Sequence, residues 1–471
     1  MKSGESVTAS RRREVRLRSA RIARSGPGAP AAMARFASGK LAHQGTALLM
    51  VGVLVLGINM RAAITSLPPI FPELESGLHL SAATLSLLAA IPVLCFGVFS
   101  GAGAPLSRRF GEERVLGLAV VLLAAGLLMR GIGPAVLLFP GTVVAGGAIA
   151  LLNVLMPSLV KRRMPARAGL VIGLYLLMLS AGAIVASAVA VPVFNATGGG
   201  VSPASASVRI SLGLWAAPAI LAAVLWLPQL RYRTVPGDGQ PGQAIQATAA
   251  RPGDAVVPGA AAVRPAGGLA MGRSGLAWQV TLFMGLQSLS YYATLSWFPT
   301  MFRDRGVSAV HAGDLLALMN FGNAVTCLLV PVLAHRAADQ RKLAIAAMAV
   351  TGAGIAGAVF GPGGLAPEFI ALLGLGQGAT LGLAIFYTMA RAPDPVTAAS
   401  LSAFSQGAGY LLASAGPLTI GFLHDATGGW AMPGVVLLAV TAAELVTGWL
   451  AGRPLTVPGR GLTRAKMARR M

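Results

Sequence analysis

Twelve apolar runs of about twenty residues each recur along the chain, with short polar stretches between them. They fall at 46–72, 81–104, 114–130, 135–158, 168–194, 209–229, 277–302, 310–333, 342–361, 365–390, 399–423 and 431–451, numbered here as segments 1 to 12. Within each run the apolar positions are continuous rather than alternating. That pattern predicts membrane-spanning helices, since only a helix satisfies its own backbone in lipid and a barrel strand would alternate. One interruption is long. Residues 230–276 are rich in Pro, Gly and Ala, carry Arg231, Arg233, Arg251, Arg264 and Arg273, and cannot bury a core, so they read as a cytoplasmic linker. The chain is thus predicted to hold a six-helix part over 46–229 and another over 277–451. Basic tails flank them at 1–45, expected to be disordered, and at 452–471.

The two sixes resemble each other at a constant offset. Phe71-Pro72 returns as Phe298-Pro299, Ser81-Ala82 as Ser308-Ala309, Ala181-Gly182 as Ala408-Gly409 and Ala186-Ser187 as Ala413-Ser414. A shared spacing along a whole half signals an internal repeat. Two parallel six-helix repeats make the all-α arrangement of the major facilitator superfamily, with a substrate held between them near the midplane.

Composition agrees with a polytopic membrane protein: 55% hydrophobic residues, only 11% charged, and mean hydropathy +0.71. The net charge of +22 is not spread as a nucleic-acid binder would spread it. The tails and the loops after segments 2, 4, 6, 8 and 10 hold 32 of the 37 Lys and Arg, which predicts both termini in the cytoplasm of an inner-membrane protein. The opposite loops take Arg130, Arg209, Arg303 and Arg305. Residues 1–45 lack the apolar core and cleavage site of a secretory signal. They are either a basic arm touching anionic lipid or a stretch preceding a true start at Met33. Cys95 and Cys327 lie inside apolar runs and read as inert core residues.

Arg61 breaks the pattern, two-thirds of the way along segment 1. A charge at such depth costs roughly 2.5–3.5 kcal/mol on insertion, so it marks a watery cavity with a functional role, or else its head snorkels to the interface. The residues from Ala62 to Pro72 are mostly apolar, which makes that climb long. Thr65, four residues on, shares its face, whereas Asn59 points elsewhere on a regular helix and is either a ligand contact or a structural bond. Pro68-Pro69 predicts distortion at the outer end. Other polar groups inside segments are Asn153, Tyr175, Gln287, Ser288, Tyr291, Tyr292, Thr294, Asn320, Asn323, Gln377 and Tyr387, with Ser402, Gln406 and Tyr410 striped along one face of segment 11. For each alone, an interhelical hydrogen bond worth under about 2 kcal/mol is the default role. The set expected to bind substrate is Arg61, Asn59, Asn153, Tyr175, Gln287, Tyr291 and Gln406. Acids are scarce: Glu444 is the one well inside a run, either an oddity of packing or a proton site. A lone intramembrane guanidinium suits a small planar anion.

Asn59-Met60-Arg61-Ala62-Ala63-Ile64-Thr65-Ser66, the turn from Ala104 to Arg114, Asn153-Val154-Leu155-Met156-Pro157 and Ser405-Gln406-Gly407-Ala408-Gly409-Tyr410 resemble the cyanate permease and nitroimidazole exporter family, a branch of that superfamily. The resemblance spans about 46–451 and implies transport of a small anion or a small nitrogen heterocycle, in a direction it does not fix. The turn after segment 2 departs from the general superfamily pattern, with Arg108 where an acid is usual and Glu112-Glu113 where bases are usual. No cofactor is implied, and a monomer is expected. His43, His79, His311, His335 and His424 fall in loops or at segment ends without metal-ligand spacing or a nucleophile beside a base, which argues against an enzyme.

Overall fold

Every predicted segment contains helix, and no strand occurs among the described residues, which in this computed structural model are 48–132, 135–200, 206–231 and 271–458. Most of the linker and both tails lie outside them. By contacts the chain separates into Met1–Met50 and Val51–Met471. Of the first unit, Leu48 to Met50 are described, as helix. All that follows concerns the second.

Among the described residues, ten helices are long and apolar enough to cross a membrane. Segments 7 and 11 are not among the ten, and each carries a polar stripe: Gln287, Tyr291 and Thr294 on segment 7, and Ser402, Gln406 and Tyr410 on segment 11. Segment 7 is one helix, Gly275–Asp304, whose middle holds Gln287, Ser288, Ser290, Tyr291, Tyr292 and Thr294, all buried. Segment 11 is two helices, Pro395–Ala413 and Ala415–Thr427. Segment 6 also breaks, into Ala206–Gly213 and Ala216–Trp226. Both breaks fall where proline, lacking an N–H, removes the donor for the carbonyl four residues back: Pro417 for Ala413 and Pro218 for Leu214. Segment 1 stops for the same reason. Within the second unit its helix runs to Thr65, then turns at Ser66 into the 3₁₀ stretch Pro68–Ile70 and a short helix, Phe71–Leu78. The distortion expected at Pro68-Pro69 is present.

Large apolar side chains such as Leu118, Val121, Val224, Phe422 and Val446 are exposed on the outside of the helices, a surface suited to lipid rather than water. Inside, small residues let backbones meet. A methyl group on Gly182 would land on the Ile58 carbonyl, so segments 5 and 1 touch through bare backbone. The repeat places the same contact in the second six. A methyl on Gly409 would come within 3.3 Å of the Gly285 nitrogen, joining segments 11 and 7. The spacing between Gly182 and Gly409 equals that between Ile58 and Gly285, so the repeated Ala-Gly dipeptides mark one crossing used twice.

Across the two sixes, segment 2 packs on segment 11 and segment 5 on segment 8. At one end of the bundle Arg303 meets Glu73 at 2.7 Å. The Trp430 indole there donates to Asp304 at 2.9 Å and stacks on His424. At the opposite end the charged pairs stay within each six. Arg162 reaches Glu113 at 2.7 Å and Glu112 at 3.0 Å, Arg163 reaches Glu113 at 3.3 Å, and Trp226 donates to the Glu113 carbonyl at 3.3 Å. This knot joins the start of segment 3 to the ends of segments 4 and 6, and it uses the two acids whose sign departs from the superfamily turn. In the second six the residue at the repeat position of Glu113 is Gln340. It accepts a hydrogen bond from Arg391, which also donates to the Ala451 carbonyl at 2.8 Å and the Gly452 carbonyl at 3.1 Å. Glu113→Ala is expected to lower the unfolding free energy by about 1–3 kcal/mol, less than breaking a fully buried pair because both arginines keep 28–30% of their side chains exposed. Thermal unfolding in detergent would measure it, with exposed Arg108→Ala as the neutral control.

One expected loop residue is not in a loop. Arg130 lies in the last turn of Glu112–Ile132, is 5% exposed, and donates through Nη1 to the Ala63 carbonyl at 2.8 Å. The bend after Thr65 leaves carbonyls short of helical donors, and a buried guanidinium supplies one.

Candidate functional site

Arg61 lies four residues before the end of the segment 1 helix, half-buried between the fully buried Met60 and Ala62. Its Cζ stands 5.6 Å from the centre of the Tyr291 ring on segment 7. Its Nη1 is buried without a hydrogen-bond partner. No carboxylate pairs with it among the described residues, and Glu444 is elsewhere: 1% exposed, bonded to Thr380 on segment 10, its Oε1 unpartnered. Arg61 is therefore neither in lipid nor neutralised by the one deep acid.

Aromatic side chains surround it instead. Tyr175, Tyr291, Tyr292 and Tyr410 all lie within electrostatic reach of the guanidinium, as does Cys327. Those are four of the chain's six tyrosines. The Tyr175 hydroxyl donates to the Met60 sulfur at 3.4 Å, which pins segment 5 beside Arg61. Tyr291 and Tyr292 meet edge to face at 5.2 Å, and Tyr410 meets Phe96 of segment 2 in the same way at 5.5 Å. The Tyr291 hydroxyl donates to Asn320 Oδ1 at 2.8 Å.

The other expected members scatter. Asn59 is fully buried and donates to the Trp215 carbonyl of segment 6 at 2.8 Å, away from Arg61, leaving Oδ1 unpartnered. Gln287 is buried and accepts from Ser288 at 3.1 Å. Gln406 donates to Ser402 at 2.8 Å, so the segment 11 stripe bonds along itself. Asn153 is exposed. Thr65 does not share a ligand with Arg61; its hydroxyl lies 3.1 Å from the Arg61 carbonyl and 3.3 Å from the Ala183 carbonyl. Arg61, Tyr175 and Tyr291 are the expected residues that the fold gathers. Tyr292, Tyr410, Asn320 and Cys327 join them without having been in that set. Cys327 is half-buried beside a cation rather than deep in a core, and spacing along its own helix gives no sign of it.

Residues 49–417 match the model of the Major Facilitator Superfamily. The chain belongs to that superfamily. Like other members it is a multi-pass membrane transporter of small substrates and not an enzyme. It is 36% identical to the 2-nitroimidazole transporter of Escherichia coli (strain K12) over 88% of this chain and 98% of that one. It is 29% identical to the cyanate transport protein CynX of the same organism over 82% of this chain and 92% of that one. Among solved structures it superposes on a bacterial homolog of the human lysosomal transporter Spinster with a TM-score of 0.64 at 18% identity, covering 87% of this chain and 95% of that one. At that identity the likeness shows the fold alone. Within a facilitator fold, the gathered residues offer one delocalised cation and several phenol faces, which can hold a compact group that is negative or electron-rich at one edge.

Proposed function

We propose that this transporter carries a small, cyanate-like anion across the inner membrane by alternating access, as a monomer with both termini in the cytoplasm. The observation that carries this reading is the buried, unpartnered Nη1 of Arg61, in a site with no carboxylate among the described residues. An anion reaching the site exchanges its hydration for the guanidinium fork, which keeps a free donor. Tyr175 and Tyr291 wall the site, and Asn153, Gln287 and Gln406 are proposed to complete the shell as it closes. A closed, empty site would bury Arg61 alone, so occupancy lowers the cost of closure. The basic loops put the Glu113 end in the cytoplasm. Arg303–Glu73 then ties the two sixes together at the outer end, and Asn153, which is exposed, is proposed to face the inner approach.

A second reading has its own support. Four tyrosines about one arginine present flat π faces as well as charge, and the relative at 36% identity is named for 2-nitroimidazole. In that reading the chain exports small nitroheterocycles.

A thermal-shift screen of the purified protein separates the two. The anion reading expects cyanate and other small planar anions at saturating concentration to raise the unfolding midpoint by about 2–5 °C. Stabilisation by 2-nitroimidazole without any response to anions overturns it in favour of the second reading.

A further inference from the structure

Asn320 joins the Arg61 site to the seam between segments 5 and 8 through hydrogen bonds. Its Oδ1 accepts from the Tyr291 hydroxyl at 2.8 Å, and Tyr291 is the ring under Arg61. Its Nδ2 donates to the Leu316 carbonyl at 2.9 Å and reaches the Ser187 hydroxyl oxygen at 3.3 Å. Ser187 belongs to segment 5 in the first six, and Asn320 to segment 8 in the second. The Ser187 hydroxyl donates in turn to the Ala183 carbonyl at 2.8 Å. Thr65 reaches the same carbonyl at 3.3 Å and the Arg61 carbonyl at 3.1 Å. Hydrogen bonds thus run from the backbone of Arg61, through segment 5 and across the seam to Asn320 and Tyr291, and the Tyr291 ring beside the Arg61 guanidinium closes the circuit by a cation–π contact. Asn320 is 4% exposed and Ser187 fully buried, so water does not replace a bond lost between them. The backbones also come close at this seam: a methyl on Gly313 would stand 2.8 Å from the Ser187 carbonyl.

We infer that Asn320 is a positioning residue that couples occupancy of the Arg61 site to opening of the segment 5–segment 8 seam. This rests on the reading of Arg61 as the substrate-binding cation. A phenol has one proton to donate. With the site empty, Tyr291 gives it to Asn320, which orients the amide so that Nδ2 faces Ser187. An anion drawn to Arg61 competes for that proton. Once Tyr291 turns to the anion, Oδ1 loses the one donor it has among the described residues, the amide is held through Nδ2 alone, and the bond to Ser187, at 3.3 Å the longer of its two, weakens while the 2.9 Å bond to Leu316 stays. Binding energy at the cation is thereby spent on the contact that holds this side shut.

The test labels Asn195→Cys on segment 5 and Val310→Cys on segment 8, both exposed near the closed end, in a chain whose Cys95 and Cys327 are replaced by Ala. Spin-label distances then report the seam in membranes, with and without cyanate or 2-nitroimidazole as probe. Asn320→Ala is expected to shift the closed-to-open ratio about three- to tenfold toward open without any probe, the range for losing one or two hydrogen bonds between membrane helices. It should also lower maximal transport more than it raises KM. Ser187→Ala should reproduce the shift, and adding it to Asn320→Ala should change nothing further. Asn320→Ala at the wild-type ratio, or shifts from the two variants that simply add, would overturn the coupling whatever the substrate proves to be. If neither probe moves the wild-type distances while Asn320→Ala does, the seam bond stands, and the substrate reading and the coupling built on it fall.

Discussion

Replacing Arg61 by alanine is expected to reduce anion uptake into vesicles by about a hundredfold, the loss of about 3 kcal/mol from one or two charge-assisted hydrogen bonds in a site where no second cation stands near Arg61 among the described residues. The same change should raise the unfolding midpoint of the substrate-free protein. Arg61 is half-buried with Nη1 unpartnered, a standing cost that alanine removes. Gain of stability with loss of transport marks a functional charge, because a structural arginine loses both together. Arg61→Lys should recover little, since an ammonium lacks the planar fork and stacks less well on Tyr291. Arg61→Gln distinguishes the two cargo classes: transport of a neutral nitroheterocycle should survive it within about fivefold, whereas anion transport should fail. Anion flux unchanged in Arg61→Ala would remove the basis of the proposal.

The largest effect on folding is expected at Gly182. In Gly182→Ala the new methyl meets the Ile58 carbonyl, and the atoms it meets are backbone, which no rotamer change can move aside. Segments 1 and 5 must part, which strains the Tyr175–Met60 and Thr65–Ala183 contacts around Arg61. A destabilisation of about 2–4 kcal/mol follows, at the upper end for overpacking because backbone cannot repack. Size-exclusion recovery after stepwise heating should show it. Gly169→Ala is the control: it lies in the same helix, Ala168–Ala196, with nothing near its added methyl, and should be neutral or slightly stabilising.

Much of the fold was legible because lipid imposes simple rules. Continuous apolar runs must be helices, and Pro68, Pro69, Pro218 and Pro417 sit at the breaks, but proline alone does not place them, since Pro92, Pro157, Pro192, Pro299 and Pro331 lie inside unbroken helices. The repeat could be seen in dipeptides such as Ala181-Gly182, and the Gly182–Ile58 crossing supplies the reason they recur. The site was legible in part. Arg61 stood out because an intramembrane charge is rare, and Tyr175 and Tyr291 do gather around it. Asn59 does not, since it faces segment 6, and helical spacing alone cannot say which neighbour a face will meet. Arg130 looked like a loop cation because it ends an apolar run, yet its target is a carbonyl on a helix 67 residues earlier in the chain. Asn320 stood out only as one of many polar residues inside segments, since what distinguishes it is its pair of partners, Tyr291 and Ser187, one in each six.

The paired backbone crossings at Gly182 and Gly409 bear on how such a carrier can change over evolutionary time or in the laboratory. A tight contact between side chains can drift, because a larger residue on one helix is offset by a smaller one opposite. Where the opposing surface is a bare peptide group, no such exchange exists. These two crossings act as fixed pivots, and new cargo specificity has to be written elsewhere, in the ring of phenols around the guanidinium.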